Sequence, residues 1–207
     1  LYEDQKQGEK VKVTCTKSNE GFATAGGVQY VACARNFKDA GLEYTGALKV
    51  LQMIFSYEYL WIQIRVKGGA YGCMCSFSDQ GDSMFVTYRD PNLSESYKVY
   101  DEAADYVADF DADDRDMKKY IIGTIGSMDM PMEAVDMGAR SFHAYFLDKT
   151  EADLQKVRDQ VLSCTQEDIR ALAPIVKAVV EAGNRCCIGN EEKIDQNKEY
   201  FDEVKHV

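Results

Sequence analysis

A long apolar stretch that ends at two consecutive glycines constrains the fold of this chain most strongly. Apolar side chains recur near the helical period from Ala47 to about Val66 and occupy nearly every side of the helix that this spacing predicts. A helix that is apolar all round has to be buried, so the sequence predicts a central helix. Gly68 and Gly69 end it, because glycine readily adopts the left-handed conformation that is common just past a helix C-terminus.

A β-hairpin is predicted immediately after the glycines. Residues 70–78 and 83–89 have strand character and enclose a short turn that contains Gly81. The other predicted elements are strands at residues 11–15, 28–35 and 186–188, and helices at residues 94–110, 113–128, 132–147, 151–163, 166–182 and 191–204. This order predicts a single α+β domain over residues 1–207, in which helices cover one face of a mostly antiparallel sheet.

The charge of the chain limits its partners. In 207 residues, Lys and Arg total 24 and Asp and Glu total 35, which gives a net charge of −11. Such a surface repels phosphates and anionic lipid headgroups, so we expect neither nucleic acid nor a membrane as a partner. No apolar run approaches the roughly 20 residues that span a bilayer. The chain starts without a methionine or a signal pattern, and we interpret it as a piece of a longer protein.

Histidine is scarce, and this limits the metal chemistry of the chain. His143 and His206 are its only histidines. Zinc hydrolases use two or three nitrogen ligands with a carboxylate, and the inverted motif His-x-x-Glu-His is absent from the sequence. We therefore expect this chain to hold no catalytic zinc, and we predict no metal-ligating residue in it.

The seven cysteines form a poor disulfide framework, because their number is odd and two of them are adjacent. We interpret them as small buried residues in a reducing compartment, which predicts a cytoplasmic protein. Cys73 and Cys75 are expected to face opposite sides of a strand and not to share a metal. A thiol nucleophile needs a base, usually a histidine, within hydrogen-bonding reach, and the sequence places neither histidine near a cysteine.

Arg65 and Tyr71 flank the glycine pair and are the remaining candidates for chemistry. Arginine offers a forked set of N–H donors and tyrosine one O–H, and donors of this kind can hold a substrate carbonyl or a developing oxyanion. The same residues also have a purely structural interpretation. An arginine in the last helical turn complements the helix dipole, and a tyrosine at the start of a strand commonly packs in the core. Spacing alone favours that structural interpretation.

Several motifs in a fixed order carry a family resemblance over roughly residues 28–183. They are Gly46-Ala-Leu-Lys-Val-Leu, Tyr59-Leu-Trp61, Arg65-Val-Lys-Gly-Gly-Ala-Tyr-Gly72, Tyr88-Arg-Asp-Pro-Asn92, Ile122-Gly-Thr-Ile-Gly126 with Asp129 and Pro131, and Thr165 with Asp168. Together they resemble the C-terminal half of the pitrilysin/insulinase family of zinc peptidases, in its presequence-protease (falcilysin-like) branch.

The resemblance implies a role for each part of the glycine turn. It implies the half-domain fold of these metallopeptidases, which is also described as LuxS/mitochondrial-processing-peptidase-like. Arg65 and Tyr71 would be the catalytic pair that positions substrate and supports the oxyanion, while Gly68 and Gly69 would form their turn and let the substrate approach. Residues 88–91 would brace the hairpin.

The resemblance also implies what the chain lacks. Zinc would be bound by the N-terminal catalytic half of the same polypeptide, and this chain would form the chamber wall that binds unfolded peptide opposite the metal. Alone it would be inactive. The alternative is a non-catalytic interaction or scaffold module with the same fold. In either case, surfaces that the missing half would cover are expected to leave apolar patches exposed.

Overall fold

A computed structural model describes residues 18–181 and 183–207, so the strand predicted at residues 11–15 lies outside the described part of the chain. The strands are β1 (Glu20–Thr24), β2 (Tyr30–Asn36), β3 (Gly72–Phe77), β4 (Asp82–Tyr88), β5 (Asn184–Asn190) and β6 (Glu203–His206). The α-helices are α1 (Ala47–Ile54), α2 (Ser94–Asp101), α3 (Ala103–Ala108), α4 (Asp114–Met128), α5 (Ala134–Phe146), α6 (Glu151–Leu162), α7 (Gln166–Arg170), α8 (Ala173–Glu181) and α9 (Glu191–Gln196). The described residues also form two 3₁₀ turns (Phe37–Ala40, Lys198–Tyr200) and two π-helical stretches (Phe55–Tyr59, Trp61–Lys67).

The strands form one six-stranded sheet in the order β3-β4-β2-β5-β1-β6. The pairings β3–β4, β4–β2 and β2–β5 are antiparallel, whereas β1 runs parallel to both β5 and β6. The expectation of an α+β fold with a mostly antiparallel sheet is therefore confirmed.

Among the described residues, helices cover only one face of this sheet. On the covered face, the side chains of Val31 and Cys33 on β2 and of Phe85 on β4 are at most 1% exposed. The side chains that alternate with these, and their cross-strand neighbours on β3 and β5, point to the other face. Five large apolar side chains there are substantially exposed: Tyr30, Met74, Met84, Tyr88 and Ile188. The sheet therefore has one buried face and one open, partly apolar face.

The central helix lies where the sequence predicts it. Leu48, Leu51, Ile54 and Phe55 are fully buried in the core. From Phe55 onward the helix widens, and the amide of Leu60 donates to the carbonyl of Phe55, five residues back. This change from α-helical to π-helical spacing was not anticipated, and nothing in the residue types explains it.

The two ends of the described chain depart from the sequence-based expectations. Residues 20–24 were not expected to form a strand, yet β1 lies inside the sheet between β5 and β6. The helix predicted over residues 191–204 is wrong beyond Gln196, because the chain ends as β6. β6 pairs with β1, and Lys205 donates to Glu20 at 2.5 Å. Such pairing between distant segments outweighs the local polar pattern.

Two further expectations need correction. The predicted helices at 94–110 and 166–182 each consist of two shorter helices, α2 with α3 and α7 with α8. Cys73 and Cys75 do not face opposite sides of the sheet, because residues two apart on a strand share a face. Both lie on the helix-covered side, where Cys75 is 4% exposed and Cys73 packs against the core.

An exposed arm projects from the domain. The segment 129–147, which we call the α5 arm, contains α5, and no residue of this helix is buried. Its large apolar side chains are 40–79% exposed: Met130, Met132, Val135, Met137, Phe142, Tyr145, Phe146 and Leu147. The expectation of exposed apolar patches is confirmed by this arm. None of the described helices combines the length and the apolar composition that a membrane-spanning segment requires.

Candidate functional site

The glycine turn joins the end of the π-helical stretch to β3. The amide of Gly69 donates to the carbonyl of Arg65 and that of Ala70 to Ile64, at 3.0 and 3.1 Å. Gly69 has a φ of +81°, a conformation that L side chains rarely adopt. A Cβ on Gly68 would stand 2.5 Å from the Ile64 carbonyl oxygen, which is too close. Both glycines are therefore required for a turn this tight.

Arg65 lies between two aromatic rings. Its guanidinium carbon is 4.3 Å from the centroid of the Trp61 ring and 5.7 Å from that of Tyr71, within the range of cation–π attraction. One N–H group donates to the backbone carbonyl of Tyr71 at 2.7 Å. These contacts hold the guanidinium at the rim of the domain, where Arg65 is half-buried.

Tyr71 is exposed rather than packed in the core. Its side chain is 64% exposed, and its ring meets that of Tyr88 edge-to-face with centroids 5.8 Å apart. Among the described residues its hydroxyl has no hydrogen-bond partner. The structural alternative, a tyrosine that packs in the core at the strand start, does not hold for Tyr71. The structure brings Arg65 and Tyr71 to the same rim.

A buried hydrogen-bond network supports the turn from behind. Asp90 is fully buried and accepts from the Ser96 hydroxyl at 2.6 Å and the Asn92 amide at 2.9 Å. The Asn92 side chain donates to the carbonyl of Gly68 at 2.6 Å. Burial raises the pKa of Asp90, against the lowering effect of its hydrogen bonds from Ser96 and Asn92. Asp90 and Asn92 thus connect α2 to the glycine turn.

The strand end beside the turn completes this support. The amide of Tyr71 donates to the carbonyl of Arg89 at 3.2 Å. Arg89 has a φ of +49°, uncommon for a residue other than glycine. The strand end therefore helps to fix the position of Tyr71. The role of residues 88–91 as a brace for the hairpin stays a prediction.

Other groups offer little chemistry. Within residues 18–181 and 183–207, no group of three His, Cys, Asp or Glu side chains is placed to hold a metal ion. His143 is exposed on the α5 arm, and His206 contacts Glu191 at 3.1 Å. Burial raises the pKa of Cys73 to about 11 and that of Cys187 to about 12, so these thiols stay protonated at neutral pH and are poor nucleophiles.

Sequence reasoning did not single out several residues that surround the site. Trp61 and Tyr88 belong only to motifs of the family resemblance, and none of those motifs includes Tyr30. Alternation along β2 and β4 places Tyr30 and Tyr88 on one face, but their contact depends on the register between the strands. That register is set by long-range pairing, which one sequence does not reveal.

Comparison with known proteins gives a consistent result. A family model described as the PreP C-terminal domain matches residues 19–190. Protein HypA of Clostridium perfringens is 43% identical over 191 residues, which are 92% of this chain and 20% of that protein. Presequence protease 1, chloroplastic/mitochondrial, of Arabidopsis thaliana is 32% identical over 191 residues, 90% of this chain and 18% of that protein. The chain thus spans about a fifth of the length of these relatives.

A solved structure shares the fold. The peptidase M16 inactive domain from Pseudomonas fluorescens aligns with a TM-score of 0.62 and 16% identity, and the alignment covers 88% of this chain and 46% of that one. At this identity the likeness concerns the fold alone. It agrees with the sheet and helices described above.

Proposed function

Because this chain belongs to the family of presequence-protease (PreP) C-terminal domains, we propose that it forms the substrate-binding chamber wall of a zinc-dependent, oligopeptide-degrading metalloendopeptidase. In this proposal an N-terminal half of the same polypeptide supplies the zinc, the general base and the attacking water. The chain described here binds unfolded peptide and orients the scissile bond, and it is inactive alone.

The convergence of Arg65 and Tyr71 at one exposed rim carries this proposal. Hydrolysis of a peptide bond places negative charge on the carbonyl oxygen, and donors aimed at that oxygen lower the barrier. The Tyr71 hydroxyl has no partner among the described residues and is available to donate there. Arg65 is held by Trp61 through its ring face, so N–H groups beyond the one bonded to Tyr71 can donate to a neighbouring substrate carbonyl.

Local charge supports the same role. The chain carries a net charge of −11, yet Arg65, Lys67 and Arg89 are concentrated at the glycine turn and at the strand end that pairs with it. Basic side chains beside the glycine turn attract the carbonyl oxygens of a bound peptide and the negative charge that develops on them during hydrolysis. Gly68 and Gly69 add no side chain that would keep a peptide backbone away.

The proposed partner half also accounts for the α5 arm. An arm with eight exposed large apolar side chains is unfavourable in water, and a neighbouring part of the parent polypeptide would cover it.

Two expectations from the sequence stay predictions. They are the cytoplasmic location and the assignment of residues 1–207 to one domain.

Substitutions in the full-length parent test the catalytic assignment. We expect Tyr71→Phe and Arg65→Ala each to lower kcat/KM by about 10²–10³-fold, because each removes a donor to the reacting carbonyl, while bound zinc stays unchanged. Tyr57→Phe is the matched control, since Tyr57 is 65% exposed and Tyr71 64%. Steady-state kinetics and metal analysis give the readout.

Unchanged kinetics in both variants would refute the catalytic assignment and favour the alternative, a non-catalytic interaction or scaffold module of the same fold. The two functions also differ in the upstream sequence. A His-x-x-Glu-His motif in the same open reading frame is expected for the peptidase, and its absence there would favour the scaffold.

A further inference from the structure

Three tyrosines continue the Arg65 site onto the open face of the sheet. The ring of Tyr71 meets that of Tyr88 at 5.8 Å and 67°, and Tyr88 meets Tyr30 at 5.5 Å and 71°. We call Tyr71, Tyr88 and Tyr30 the tyrosine shelf. It begins beside the guanidinium of Arg65, so the shelf and the rim form one continuous surface.

The shelf is open because of the strand register. Gly72 stands opposite Tyr88 and adds no side chain between the rings, and Tyr30 stands opposite Ile188 of β5. The three tyrosines are 37–64% exposed, and none of their hydroxyls has a hydrogen-bond partner among the described residues. The rings therefore do little to bury core area, and their faces and hydroxyls are available to a ligand.

We propose that the tyrosine shelf is a specificity subsite for an aromatic side chain of the unfolded peptide whose backbone Arg65 holds. This inference rests on the proposed function and adds a side-chain preference to it. Aromatic rings attract one another through edge-to-face and offset contacts, beyond the gain from burying apolar area. The shelf presents such rings in a row, with no charged residue among the three.

The spacing of the shelf suits an extended peptide. Side chains on one face of an extended strand repeat at roughly 6.6–6.8 Å, two residues at about 3.3–3.4 Å each. The ring-to-ring steps along the shelf are 5.5 and 5.8 Å, slightly less than this repeat. A peptide carbonyl at Arg65 therefore leaves a nearby side chain of the same peptide within reach of Tyr88 and Tyr30.

The single tryptophan of the chain provides the probe. Trp61 is the only tryptophan, is 39% exposed and contacts Arg65, so its fluorescence reports on occupation of the rim. The 207-residue chain is titrated with two unstructured ten-residue peptides that are identical except for one central phenylalanine replaced by alanine. Calorimetric titration of the same pairs gives affinities independent of the fluorophore.

We expect the phenylalanine peptide to bind about three- to tenfold more tightly than the alanine peptide, the range expected for one added aromatic contact. Tyr88→Ala and Tyr30→Ala are each expected to abolish this preference, so that the two peptides bind each variant with equal affinity. Tyr145→Ala is the matched control, because Tyr145 is 79% exposed on the α5 arm, and it should keep the preference. Tyr88→Leu keeps an apolar side chain but no ring, so it distinguishes an aromatic contact from the burial of apolar area. Far-UV circular dichroism verifies that each variant is folded.

The outcomes separate the two proposals. If both peptides bind equally to the wild-type chain and Arg65→Ala weakens both, the subsite is refuted and the peptide-binding rim stands. If neither peptide binds, or if Arg65→Ala leaves binding unchanged, the proposed function fails and the subsite fails with it. A preference that survives in folded Tyr88→Ala and Tyr30→Ala would also refute the subsite.

Discussion

At Gly69 the choice of residue follows from one backbone angle. A φ of +81° suits glycine and strains other residues, and the residue type was recognisable in the sequence as a helix stop. The requirement at Gly68 has a different cause, the close carbonyl oxygen of Ile64, which only the folded turn reveals. The sequence could therefore predict the position of the turn but not its tightness.

The buried carboxyl group of Asp90 gives a prediction about how stability depends on pH. Burial raises its pKa in the folded protein, so the folded state binds this proton more tightly than the unfolded chain does. The ionised form costs stability above the folded pKa, and that cost disappears as the pH falls towards the unfolded value of about 3.9. As the pH falls from the folded pKa to the unfolded pKa, the wild-type protein should therefore gain stability relative to Asp90→Asn.

Urea unfolding of both proteins at pH 7 and at about pH 4 measures this difference, because the carboxylates common to both cancel in the comparison. Asparagine keeps an acceptor for the Asn92 amide, so the variant is expected to fold. A difference between the two proteins that stays constant, or that moves in favour of Asp90→Asn on acidification, would contradict the assignment.

At the scale of elements, the local sequence pattern predicted the hairpin and the central helix. It did not reveal the pairing of strands that are distant in sequence. The hairpin β3–β4 and the central helix lie where the apolar pattern and the glycines indicated. β1 and β6 were missed because their segments are polar and short, and each is stabilised by a partner distant in sequence. The contacts of Tyr88 and Tyr30 were missed for the same reason, since strand order is not visible locally.

The capping box at the start of α7 gives a prediction at this scale. The Thr165 hydroxyl accepts from the Asp168 amide, and the Asp168 carboxylate accepts from the Thr165 amide. Thr165→Ala should lower the free energy of unfolding by about 1 kcal/mol, because an amide of the first turn loses its acceptor. Thr165→Ser keeps the hydroxyl and should cost much less.

Chemical denaturation of the three proteins compares these values. Equal losses for the alanine and serine variants would show that the methyl group of Thr165, rather than the cap, carries the stabilisation. The same pair of substitutions at Thr150, which caps α6 in the same way, provides an independent repeat.

For the whole molecule, the sequence indicated the architecture, and the structure revealed which surfaces are left open. The one-sided sheet was predictable from the order of elements, and exposed apolar patches were expected from the resemblance to half of a larger enzyme. Their location on the α5 arm was not predictable, because α5 has an ordinary amphipathic sequence that would equally suit packing against this domain.

The α5 arm yields a prediction about solubility. Phe142→Ser combined with Phe146→Ser should reduce binding of the dye ANS and self-association of the isolated chain, with little change in Tm, because neither ring is buried. Phe85→Ser is the contrasting control, since Phe85 is fully buried and its loss should cost several kcal/mol. A large fall in Tm for the arm variant would show that the arm packs against its own domain.

The wide turns between Phe55 and Lys67 have a consequence for how this segment tolerates changes in length. The hydrogen bond of a π-helical turn spans one residue more than that of an α-helical turn. Each of the two stretches therefore contains one extra residue relative to an α-helix. Loss of one residue there can restore α-helical spacing and leave Arg65 facing the same direction. Loss of one residue within α1 is not compensated in this way. It would rotate the following helical residues, including Arg65, about the helix axis. Among related proteins, single-residue gaps in this helix should therefore cluster after Ile54 and not before it.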